Sequence, residues 1–143
     1  MKLCTASETL SFIRELEEKA AQFYEGLAER YPENADDFRA FAKECIKFNK
    51  QIQMAYQSVI TDAIEGCYAF DLEPEDYVFD IDLPDDASLK DAAKKALDIE
   101  DKIVECYTVG AKQSESLLAD VPRNFKIVVK KRNKRLEKLK SLT

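Results

Sequence analysis

The chain predicts an all-α fold, a four-helix bundle made of two helical hairpins joined by one long connection. Three observations predict it. Apolar residues recur at helical spacing in four stretches. Short turn signals divide the first stretch from the second and the third from the fourth, whereas the acidic, proline-interrupted residues 68–87 divide the second from the third. The second half of the chain also repeats the first, with a hairpin at 7–67 and another at 88–142, so residues 1–143 read as one domain.

The first helix is expected from about Ser7 to Arg30. Thr5 and Ser7 are cap candidates, and Thr5 with Glu8 has the spacing of a capping box. The first four residues lead straight into this helical pattern. Tyr31-Pro32-Glu33-Asn34 ends it as a turn. The second helix begins near Ala35 and is expected to run towards Gly66, a plausible stop. Its stripe is Phe38, Phe41, Cys45, Phe48 and Ile52, then Val59 and Ala63. Residues 68–87 break the helical pattern and read as a long crossover, pinned by its aromatics Phe70, Tyr77 and Phe79. No Asp-x-Asp-x-Asp-Gly calcium loop accompanies its acids. Ser88, with Asp91 three residues on, caps a third helix expected to reach about Leu118. After Asp120-Val121-Pro122 the fourth helix runs to Leu142, with Phe125, Val128, Val129, Arg132, Leu136 and Leu139 on one stripe.

At 143 residues, with 45% apolar and 35% charged residues, the chain is long and apolar enough for a packed core. No run matches a membrane span and no signal peptide opens the chain, so the cytoplasm is the expected compartment. Cys4, Cys45, Cys67 and Cys106 form no CxxC pair, which removes zinc-ribbon and rubredoxin-type sites and leaves free thiols. Histidine is absent, which excludes Ser-His and Cys-His nucleophile pairs. The net charge of −6 is uneven: residues 121–143 carry +8 and the rest −14. A basic helix offsetting an acidic body explains this without nucleic acid, for which no aromatic interleaving or motif speaks.

The chemistry-bearing residues sit in the repeat. Glu17 precedes Tyr24 by seven residues, and Glu100 precedes Tyr107 by seven, so each pair shares one helix face. Those faces are otherwise apolar: Ile13, Leu16, Ala20, Phe23 and Leu27 in one, Ala96, Ile99, Ile103, Cys106 and Ala111 in the other. A carboxylate on a buried stripe is costly unless it is paired, protonated or bound to metal. Two of them at matching positions point to a site or its remnant.

This pattern resembles the rubrerythrin-like branch of the ferritin-like superfamily over nearly the whole chain, from about Ser7 to Leu139. The doubled glutamate-then-Phe/Tyr helix, the long crossover, and the matching Phe38-to-Lys43 and Phe125-to-Lys130 stretches carry the resemblance. It implies a di-iron centre, with one glutamate from the first helix of each hairpin and Glu-x-x-His from the second. Glu17 and Glu100 match the first-helix glutamates. Cys45 and Phe48 stand where one Glu-x-x-His is expected, and Arg132 and Arg135 where the other is. Four of six ligands are replaced, so the implied site is degenerate and the expected cofactor is none, with iron as the alternative. Arginine suits a carboxylate partner. Arg132 and Arg135 are therefore expected to pair with Glu17 and Glu100, Tyr24 and Tyr107 to donate to the same carboxylates, and Cys45 and Phe48 to fill space opposite.

Three functions remain open from the residues. One is a non-catalytic bundle that binds a protein partner or itself, a homodimer being the guess by family analogy. Another is a rubrerythrin-type oxidoreductase or peroxidase with an altered iron site, or a thiol peroxidase using Cys45. The third is a binder of an acidic partner or nucleic acid through the fourth helix, where Lys126, Lys130, Lys134 and Lys138 recur every four residues. The reading leans away from an enzyme, because the replaced ligands are those on which the family's chemistry depends.

Overall fold

A computed structural model describes residues 2–57, 68–115 and 120–143. Among these described residues are four helices: α1 (Ala6–Arg30), α2 (Ala35–Gln57), α3 (Leu89–Ser114) and α4 (Asp120–Ser141). The parts of the expected second helix at Val59, Ala63 and Gly66, and the expected end of the third near Leu118, lie outside the described residues, as does Cys67.

The caps follow the local sequence. Thr5 accepts from the Glu8 backbone N–H and the Glu8 carboxylate returns a bond to the Thr5 N–H. Ser88 and Asp91 repeat this at α3. A short 3₁₀ turn at Pro32–Asn34 joins α1 to α2.

The stretch preceding α1 departs from the expected helical lead-in. Leu3–Thr5 forms β1, which pairs antiparallel with β2 (Tyr68–Leu72), Leu3 opposite Leu72. Within the stretch 68–87, where the helical pattern breaks, lie this strand and a 3₁₀ turn at Pro74–Asp76. The physical reason is burial: Leu3, Phe70 and Leu72 are covered together, and pairing satisfies the backbone groups taken out of water with them. Tyr77 and Phe79 are buried as expected of pinning aromatics, whereas Val78 is exposed.

The helix directions follow from their contacts. Gln51 meets Asn124 and Asp37 meets Lys138, so α2 and α4 are antiparallel. Tyr24 meets Glu100 and Tyr107 meets Glu17, so α1 and α3 are antiparallel too. Together with the two hairpins this makes α2 and α3 parallel. Residues 78–88 lie along α1 and α3. The Phe79 carbonyl accepts from Lys19, that of Val78 from Lys102, that of Pro84 from Arg30 and that of Ala87 from Tyr31.

The core fills the space between the helices with Ile13, Phe38, Ile52, Ile99, Ile103 and Phe125, all essentially inaccessible. Gly110 is where α3 and α4 approach closely: a Cβ there would lie 2.8 Å from the buried Phe125 ring. Gly110→Ala is expected to destabilise the fold by about 1–3 kcal/mol through overpacking, read from the urea unfolding midpoint; a midpoint at or above that of the parent chain would contradict the close approach. Among the described residues no helix is long and apolar enough to cross a membrane.

Candidate functional site: a buried charge-paired centre

Two carboxylates and two guanidinium groups meet at the middle of the bundle. Glu17 from α1 and Glu100 from α3 are 1% and 0% exposed, and Arg132 and Arg135 from α4 are 0% and 3% exposed. Each lies on the apolar stripe of its helix, so folding the stripe inward carries the charge with it.

Arg132 bridges the two acids. One of its terminal nitrogens donates to Glu100 Oε2 at 2.7 Å and the other to Glu17 Oε1. Arg135 donates to Glu100 Oε1 at 3.0 Å. The tyrosines complete the set crosswise: the Tyr24 hydroxyl donates to Glu100 Oε1 at 2.7 Å, and the Tyr107 hydroxyl to Glu17 Oε2 at 2.6 Å. Every carboxylate oxygen therefore accepts at least one bond, and two positive charges face two negative ones. That is the condition under which buried charges are tolerated.

Arg135 lies within a cage of aromatic rings, with its guanidinium carbon 4.7 Å from the Phe41 centroid, 5.2 Å from Tyr24 and 5.6 Å from Phe48. Arg132 lies 5.2 Å from the Phe48 ring. Ring faces attract desolvated cations, so these contacts offset part of the burial cost. Phe48 thus does more than fill space. Among the described residues, Nε of Arg132 and Nε of Arg135 are buried without a hydrogen-bond partner.

The two acids are electrostatically unequal. Burial pushes Glu17 above its ordinary value and outweighs the opposing pull of Arg132 and of the Tyr107 hydroxyl. Burial works the same way on Glu100, but Arg132, Arg135 and Tyr24 together outweigh it and hold that carboxyl below its ordinary value. The difference is one guanidinium: Arg135 bonds Glu100 and not Glu17. Burial also raises both tyrosines well above the usual phenol range.

Cys45 lies under the arginines, its sulfur 3.4 Å from an Arg135 nitrogen and 3.6 Å from one of Arg132. Burial nevertheless pushes its thiol up to about 11, beyond what the nearby cations offset. It is therefore a thiol at neutral pH, and the thiolate is the nucleophilic form. Cys106 is buried as well and pushed up to about 12.

All eight positions singled out from the sequence converge here: Glu17, Glu100, Arg132 and Arg135, with Tyr24, Tyr107, Cys45 and Phe48 around them. Two contributors were missed. Glu44 accepts from Arg135 at 3.2 Å with its side chain 41% exposed, and the Phe41 carbonyl accepts from the same nitrogen at 3.2 Å. Glu44 precedes Cys45 and lies three residues beyond Phe41, at the edge of the α2 stripe; that placement was the available signal.

Compared with protein-family models, with curated proteins and with solved structures, the chain matches none.

Proposed function

We propose that the chain is a non-catalytic bundle of the ferritin-like kind, in which charge pairing stands where relatives of that fold hold iron, and that it acts by binding a protein partner. The parallel run of α2 and α3, with residues 78–88 laid along α1 and α3, supports two hairpins joined by a long crossover. The observation that carries the reading is the guanidinium of Arg132 held between Glu17 and Glu100.

The donor set does not fit iron. A metal between the two carboxylates would meet a cation that already occupies their facing oxygens. The remaining matched positions offer a protonated thiol and a phenyl ring in place of a carboxylate and an imidazole. Only expelling an arginine would free a carboxylate to bind metal, and expelling Arg132 would strip the partner from a buried carboxylate.

Iron content measured by mass spectrometry, on the purified protein and again after anaerobic loading and desalting, tests this. Less than about a tenth of an iron per chain is expected in both samples. Close to two irons per chain would overturn it and put a metal-dependent oxidoreductase first. The fourfold variant Cys45→Glu/Phe48→His/Arg132→Glu/Arg135→His places Glu-x-x-His on α2 and α4. On a ferritin-like scaffold this variant should gain tight iron binding that the parent chain lacks. A folded variant that gains none would argue against the scaffold assignment.

A further inference from the structure

We propose that the face formed by α2 and α4 is a docking groove for an acidic peptide segment of a partner protein, whose carboxylate takes the place that Glu44 holds on Arg135; this rests on the reading of the chain as a binding protein.

The charge of the molecule is sorted by face. In the bundle α2 and α4 lie beside each other, and so do α1 and α3 on the other side. Apart from the two arginines and two glutamates of the buried centre, α2 and α4 carry +6, whereas α1, α3 and residues 68–88 carry −9. The −14 of residues 1–120 therefore does not stand in the way of an acidic ligand. Residues 78–88 are laid over α1 and α3, two helix layers from the basic face, roughly 20 Å away. At physiological salt screening acts over about 8 Å.

The basic face is grooved. A depression of about 410 Å³ between α2 and α4 is lined by Phe41, Glu44, Phe48, Lys131, Lys134 and Arg135, among others. Lys47 and Gln51 also line a second depression of about 650 Å³ that reaches Met54 and Arg123. From Phe41 to Met54 the combined groove extends about 20 Å along α2, the length of a helical segment of about 13 residues. Among the described residues, the side-chain ammonium groups of Lys47, Lys131 and Lys134 have neither hydrogen-bond nor ion-pair partners.

Arg135 shows what the groove recognises. Of its partners, Glu100, Cys45 and the Phe41 carbonyl belong to the interior, and Glu44 is the one that reaches water. Its outward nitrogen thus bonds a half-exposed carboxylate beside the Phe41 carbonyl, and an incoming carboxylate can replace Glu44 without leaving the guanidinium bare. Met54, 58% exposed, offers an apolar contact at the far end. A peptide presents both carboxylates and an apolar side chain. A nucleic-acid backbone presents phosphates alone, which leaves Met54 unused.

The probe is a fluorescein-labelled peptide of about 14 residues, with glutamate at every third or fourth position and a single leucine, titrated by anisotropy into the intact chain at low and physiological salt. Saturable binding at one peptide per chain is expected. Lys131→Glu/Lys134→Glu should weaken it about tenfold or more, mainly through slower association at low salt. Both lysines are exposed, so the variant should keep the parent unfolding midpoint. Glu44→Gln should tighten binding. Absence of saturable binding at low salt, equal affinity of the charge-reversed variant, or preferential binding of a DNA duplex to the same face would each overturn the proposal. So would a chain that self-associates and leaves the peptide free. Failure here with iron absent removes only the groove; two irons per chain removes the reading beneath it.

Discussion

Arg132→Met is expected to lower the stability of the bundle by about 3–5 kcal/mol, because removing one partner of a buried ion pair strands the other. Arg132 is fully buried and bonds both acids. Without it Glu100 keeps Arg135 and Tyr24, but Glu17 keeps only the Tyr107 hydroxyl. Glu17, already pushed above its ordinary value by burial, would take up a proton instead of remaining an unpaired charge. In a domain of this size the loss corresponds to a melting point lower by roughly 10 °C or more.

A control separates charge imbalance from lost packing. The triple variant Glu17→Leu/Tyr107→Phe/Arg132→Met removes one cation, one anion and the hydroxyl that served the anion. It leaves the Glu100–Arg135 pair with Tyr24 intact. Replacing a buried charge pair by apolar groups of similar volume is often neutral or stabilising. The triple variant is therefore expected to recover most of what the single variant loses. Urea midpoints at a fixed pH decide the matter. A single variant costing less than about 1 kcal/mol, or a triple variant no better than the single, would show that the centre is not held by charge pairing.

Much of the centre is legible in the sequence, and the reason is register. Glu17 with Tyr24 and Glu100 with Tyr107 are two turns apart on one face. Cys45 with Phe48 and Arg132 with Arg135 fall at the same offsets from Phe38 and Phe125. A duplicated hairpin brings equivalent positions together, so four helical patterns were enough to predict which side chains meet. The two capping boxes were legible for a simpler reason: each is a contact between residues three apart. The β1–β2 pair was not, because Leu3 and Leu72 are remote in sequence and a three-residue strand shows no period. The aromatic cage around Arg135 and its bond to Glu44 escaped as well. They depend on how far a long side chain reaches past its own helix, which spacing alone does not determine.

The inequality of the two acids leads to the remaining large effect: at neutral pH Glu100→Gln should be far more damaging than Glu17→Gln. The folded-state pKa of Glu100 lies below its ordinary value near 4.5, so its ionisation contributes stability that is present above that value and is lost as pH falls through the folded pKa. The folded-state pKa of Glu17 lies above the same ordinary value, so its contribution is present below it and is lost as pH rises through the folded pKa. Glutamine mimics the protonated acid at every pH. Glu100→Gln therefore removes the stabilising ionised form and leaves Arg135 short of its buried anion, at a cost of about 3–5 kcal/mol at neutral pH. That cost should shrink in acid, where the parent chain loses the same contribution. Glu17→Gln takes away one of the two acids that Arg132 bridges but leaves that guanidinium its bond to Glu100, and burial already opposes the ionised form at this position, so its cost at neutral pH should be clearly the smaller. Relative to the parent chain it should become more favourable as pH rises. Urea unfolding of the three proteins from about pH 2 to 8 would reveal opposite pH slopes for two chemically identical substitutions at matching positions of the repeat. Equal costs with parallel slopes would mean that Arg135 serves both carboxylates alike and that the crosswise pattern of bonds has no energetic consequence.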